Sequence, residues 1–194
     1  MAKILDFIKQ CNWVDVFVVI VLMRTTYIAI KNGIFISFFK LLGTLFACYL
    51  SLHYYIRLAD LLKKYIPNSA VVSLEAWDFF SVLILMLVGH LVFVVLRETF
   101  FRFIKAETVS FLNRWGAMIL GVARGFIFVS LVIFLLSIPL VNYLTQSVKD
   151  SFSGKHVIKV SVGVYSYFWK NLVAKFMPTE KFNQVVTEVQ EEIL

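Results

Sequence analysis

The feature that most limits the fold is the run from Asn113 to Val141. It begins Asn113-Arg114-Trp115-Gly116-Ala117-Met118-Ile119-Leu120-Gly121-Val122-Ala123-Arg124-Gly125-Phe126 and stays almost wholly apolar thereafter. A helix rises ~1.5 Å per residue and the hydrocarbon core of a bilayer is ~30 Å thick, so about 20 such residues cross it. Ala117, Gly121 and Gly125 recur every four residues, stack on one face and leave a groove into which a second helix can press its backbone. Ordinary helix packing accounts for that groove. Arg124 does not fit so plain an account: deep in a span, its charge requires a partner, a water pocket or a side chain stretched to the interface.

Composition extends the argument to the whole chain. Of 194 residues, 60% are hydrophobic and 16% charged, with a mean hydropathy of +0.84. Soluble domains hold about 45–50% and about 25% on comparable counts, so these values describe an integral membrane protein. The apolar runs predict spans over residues 12–30, 34–52, 77–96 and 115–141. The expected fold is an all-α membrane protein: a four-transmembrane-helix bundle over 1–141, a surface-lying connector helix over 97–114, and an amphipathic helical tail over 142–194. The net charge of +7 is scattered between spans rather than massed in a patch, so the expected counterpart is a lipid bilayer with an anionic surface, not nucleic acid. Cys11 and Cys48 have no metal-type spacing and read as small buried hydrophobes.

Within the spans, Trp13 stands where an interfacial anchor would, and Asp15 is placed to cap the start of its own helix. Lys31-Asn32-Gly33 predicts a tight turn. Gly43, Ala47 and Ser51 form a second small-residue seam able to receive the first. His90 interrupts the third span, where a hydrogen bond to a neighbouring helix is the expected role. After Asn142 the residues 147–153 read as a linker, followed by a helix over 157–177 that Pro178 ends and a last acidic helix that Thr179 can cap. That tail can lie on the membrane, cover the bundle or dock a partner.

With four antiparallel spans, Arg24, Lys40, His90 and Arg124 fall at one level, roughly 10–15 Å from the face that carries the connectors 31–33 and 97–114. Asp15 lies near the other face. Cations gathered at one level repel unless some reach the interface, or unless a wet pocket or an anion sits among them. By density of Lys and Arg, the connector face is the cytoplasmic one and both termini are periplasmic.

Trp13-Val14-Asp15, Gly33 twenty positions after Trp13, His53-Tyr54-Tyr55, and Asn113-Arg114 followed by Ala117, Gly121, Arg124 and Gly125 together resemble the colicin V production protein (CvpA) family of bacterial inner-membrane proteins. The likeness covers roughly residues 11 to 141, with a looser one in the tail. The chain departs from the pattern at Asn32, where a basic residue is frequent, at Ser37 and Asn113, which replace carboxylates, and at Ala117, which replaces glycine. The resemblance implies a four-span protein linked to colicin V production or export and to envelope homeostasis.

No Ser/His/Asp or Cys/His set, no metal-type spacing and no phosphate-cradling glycine loop is present, so the expectation is a protein that is not an enzyme and carries no cofactor or metal. Two functions remain. One is an accessory scaffold that contacts other envelope proteins through the 97–114 connector and the tail. The other is a small transporter or channel subunit with a polar path along Arg24, His90 and Arg124; four spans are few for that task, so it requires a homo-oligomer.

Overall fold

A computed structural model of the chain describes residues 12–65, 73–103, 111–138, 141–177 and 180–194. Among these residues there is no strand. Helix α1 is Trp13–Asn32, α2 is Ile34–Tyr65, α3 is Leu74–Phe103 and α4 is Phe111–Ser137. All four are long and apolar enough to cross a membrane. The shorter α5 is Asn142–Asp150, α6 is Phe152–Phe168, and α7 is Val185–Ile193. A π-helical turn over Trp169–Val173 and one more turn over Ala174–Phe176 prolong α6.

Local chemistry sets the ends of these helices. Asn12 accepts the Val14 N–H through its side chain (3.2 Å) and so caps α1. Asp15, expected in that role, reaches elsewhere. Gly33 has φ of +80°, a conformation that costs a side-chain-bearing residue, and its N–H returns to the Ala29 carbonyl (3.1 Å). A one-residue joint therefore turns α1 back into α2. Ser151 separates α5 from α6 and accepts the Gly154 N–H on its hydroxyl (2.8 Å).

The four spans do not surround a common axis equally. Helix α4 packs along α1 on one side and α2 on the other, while α3 lies along α2 and barely touches α4. Half of the apolar stretch of α4 is buried, against 17% for α1 and 22% for α3, so α4 is the centre. The outer faces of α1 (Val19, Ile20, Met23) and α3 (Leu87, Leu91, Val95) are exposed apolar surfaces suited to lipid.

Two sequence expectations change here, and one open alternative is decided. Arg97 to Phe103 continue α3 rather than starting a separate helix, and α4 is already helical at Phe111; residues 104–110 of the connector lie outside the described residues. The predicted linker over 147–153 is helical apart from Ser151, because α5 and α6 each bury a face against the spans. The tail covers the bundle. Helix α6 crosses α1, α4 and α2 in turn, and Val148, Ile158, Val162, Tyr165, Val186 and Ile193 join the same core clusters as the spans. Burying a side chain of this size contributes about 1.5–3 kcal/mol. Pro178 and Thr179 lie outside the described residues.

Candidate functional site

The small-residue seams were expected to meet one another, and they do not. A Cβ added to Gly121 would strike the Ala29 Cβ, and it would lie 3.2 Å from the Thr26 Cα. One on Gly125 would lie 2.6 Å from the Thr25 hydroxyl. The α4 seam, with Ala117 fully buried, therefore receives α1. The α2 seam receives α3: a Cβ on Gly43 would be 2.7 Å from the Phe93 Cβ, and one on Gly89 would be 2.6 Å from the Ala47 Cα. Gly89 is a contact the sequence reading passed over, because it shares no spacing with other small residues on its own helix. Where lipid is the solvent, such close approach supplies dispersion contacts that a hydrophobic driving force does not.

At the connector end, Gly33 and Asn113 come together. The Asn113 carboxamide oxygen accepts the Ile34 N–H (2.5 Å) and its amide group lies against Gly33. A side chain from α4 thus caps the start of α2, using a donor the turn leaves open. Ser37 donates to the Ala29 carbonyl (3.2 Å) across the same turn. Both residues stand where the family resemblance gives carboxylates, and both serve here as neutral hydrogen-bonding groups. Arg114 and Arg24 are exposed.

Deeper at that end lies a basic cluster. Lys40 on α2, His90 and Arg97 on α3 and Arg124 on α4 are close enough to act on one another electrostatically. Arg124 donates from Nε to the Thr44 hydroxyl (3.2 Å), and Thr44 in turn donates to the Lys40 carbonyl. His90 makes no hydrogen bond among the described residues, contrary to expectation; it lines a small cavity with Phe39, Lys40, Gly43, Phe93, Val94 and Arg97. That cavity measures about 10 Å³, room for roughly one water. Three of the four residues predicted to share a level are brought together. Arg24 is not, because it points outward from α1, and Arg97 takes its place.

The opposite end holds a cluster that the sequence showed only as His53-Tyr54-Tyr55. His53 is buried, with its Nδ1 3.0 Å from the Tyr165 hydroxyl and its Nε2 3.4 Å from Glu180. The Asn183 N–H donates to the same hydroxyl (2.9 Å), so the phenolic proton goes to Nδ1 and the imidazole carries its proton on Nε2, facing Glu180. Arg57 donates two hydrogen bonds to Glu180, at 3.1 and 2.5 Å. This bidentate pair is the first cause, and His53 a further one, holding the Glu180 carboxyl below the usual carboxylate range. Burial pushes the Tyr165 phenol above its ordinary value. Tyr49 and Trp169 stack on the imidazole, with ring centroids 5.3 and 5.4 Å away. Trp169 begins the π-helical turn.

Carboxylate, imidazole and hydroxyl in series have the look of a catalytic relay. In this structure the three groups tie the tail to α2: Tyr165 is fully buried and its oxygen already accepts from the Asn183 N–H. Two further residue pairs tie the tail to the spans. Asp15 accepts the Ser153 N–H (2.7 Å) and caps α6, and the Ser130 hydroxyl both donates to the Ser161 hydroxyl and accepts the Ser161 N–H, at 2.8 Å each. Among the described residues, no three His, Cys, Asp or Glu side chains converge as a metal site would need.

A family model described as colicin V production protein matches residues 14–162. The chain belongs to that family. The match takes in all four spans, α5 and most of α6, so the family pattern reaches the Ser130–Ser161 contact and not only the membrane helices. Together with the four apolar helices, it makes the chain a multi-pass membrane protein of the colicin V production type. Among curated proteins and among solved structures, nothing matches.

Proposed function

We propose that this family member is a non-catalytic accessory scaffold of the bacterial inner membrane, linked to toxin production or export and to envelope homeostasis. One observation carries the reading: the tail is bonded to all three of the helices it crosses, through Asp15, Ser130 and His53, and so spans and tail present a single composite surface. That surface leaves Tyr143, Phe152, Tyr167 and Phe176 exposed on the tail, the side chains that a neighbouring envelope protein would meet. The transport reading has less support. The polar groups of the spans at the connector end enclose space for about one water, and Thr44 and Ser51 spend their hydroxyl protons on their own helix. In this reading the connector face is cytoplasmic and the termini and tail are periplasmic.

Crosslinking in native membranes tests the proposal. Truncation after Asn142 is unsuitable, because it would strip the core. The double change Tyr167→Ala with Phe176→Ala should instead remove specific crosslinked partners while leaving the amount of folded protein unchanged. An unchanged partner set, or flux of protons, ions or peptides through pure protein in proteoliposomes, would overturn it. Cysteines placed at Lys31 and Lys155 should be labelled from opposite sides, the second from the periplasm.

A further inference from the structure

The basic cluster at the connector end brings Lys40, His90, Arg97 and Arg124 together. Among the described residues, no carboxylate lies within ion-pair distance of Lys40, His90 or Arg124. Glu98 pairs with Arg97 at 3.6 Å and is mostly exposed. Arg124 uses one of its five N–H donors on Thr44. Close packing at Gly43 and Gly89 holds the α2 and α3 backbones together, so the stems of Lys40, His90 and Arg97 start from neighbouring positions. Like charges gathered in a partly apolar setting call for an anion. The cavity of about 10 Å³ is too small to enclose one, so the anion must lie across its mouth.

The mouth is within side-chain reach of the connector ends of α2 and α3. Lys40 is the seventh residue of α2 and Arg97 the seventh from the end of α3, each about 9 Å from the connector end of its helix by the rise per residue. Their flexible stems can carry both charges to the level of lipid phosphates. Val94 lines the cavity, and Leu91 and Val95, next around α3, are exposed apolar side chains against which acyl chains can lie. A binding group with a negative head and an apolar body fits all of these features.

We propose that Lys40, Arg97 and Arg124, with His90 beside them, form a phosphate site that holds the headgroup of an anionic membrane lipid. The site stands apart from the scaffold reading, since it is at the other end of the molecule from the docked tail. Its test uses the full-length protein in detergent, with phosphatidylglycerol, phosphatidylcholine or inorganic phosphate added, and reads the thermal midpoint and the co-purified lipid. Phosphatidylglycerol should raise the midpoint above that seen with phosphatidylcholine. Lys40→Gln and Arg124→Gln should each weaken its binding about fivefold, the factor carried by one cation near an anionic surface. Lys155→Gln, the same charge change on α6, should leave binding unaltered. An equal response to the two lipids, or full binding by both cluster variants, overturns the site. Inorganic phosphate acting as strongly as phosphatidylglycerol overturns the lipid as its source. Should Arg124→Gln not accumulate, Lys40→Gln decides alone, because its half-buried side chain holds no neighbour in place.

Discussion

The two ends of this bundle handle polar groups in opposite ways. At the end bearing the tail, Asp15, His53, Arg57 and Ser130 all find partners supplied by residues beyond 150, more than ninety positions away from the first three. At the connector end, Lys40, His90 and Arg124 face one another with a single neutral hydroxyl among them. The first end is completed by the chain itself. The second is left for the membrane to complete. The difference teaches where to look for binding: a cluster whose bonds are all made internally holds structure, whereas one with open donors recognises something else.

Several changes break or sharpen this contrast. The largest effect belongs to neither end but to the seam that joins them. Gly121→Leu drives a side chain into Ala29 and the Thr26 backbone and should cost more than ~3 kcal/mol, abolishing folded protein in membranes. Ile119→Leu, on the exposed face of the same helix, should accumulate normally. Next, Tyr165→Phe removes the hydroxyl that serves both His53 and Asn183, leaving two groups short of a bond. With the His53 nitrogen buried and the Asn183 N–H partly buried, it should lower stability by ~1–2 kcal/mol in detergent unfolding. Asp15→Ala removes the cap of α6 from another helix, for ~1 kcal/mol by the same measurement.

Glu180 gives the tail end a pH dependence. Its carboxyl is held below the usual range when folded, so its contribution is complete above the ordinary carboxylate value and is lost as pH falls through the lowered one. Protection of the tail from proteolysis should therefore weaken in acid in the wild type and be independent of pH over that interval in Glu180→Gln. The connector end predicts the reverse sign for a lost charge. In lipid-free detergent Lys40→Gln relieves repulsion and should leave stability unchanged or raise it by a few tenths of a kcal/mol.

Much of the membrane domain was readable from residue order. Span length follows from apolar runs, Gly33 from the tight turn that Lys31-Asn32-Gly33 marks, and Gly121 and Gly125 from their spacing. What the sequence concealed was pairing. A four-residue repeat marks a seam but not its partner, so α4 was matched with α2 although Ala29 and Thr25 of α1 fill it. Asp15 has the position of a local cap, and only the fold shows Asn12 doing that work while Asp15 serves α6. The His53 cluster was hidden because Tyr165, Glu180 and Asn183 lie in a segment whose polarity resembles a surface tail.

The claim on which the rest depends is that α6 lies across the spans inside the membrane protein's own core. Cysteines replacing Ser130 and Ser161, in a chain with Cys11 and Cys48 changed to Ala, test it in native membranes. The hydroxyls they replace are 2.8 Å apart and fully buried. Mild oxidation should link them within one chain, seen as loss of both thiols without any dimer. Free alkylation of both thiols, with no internal link, would contradict the docked tail.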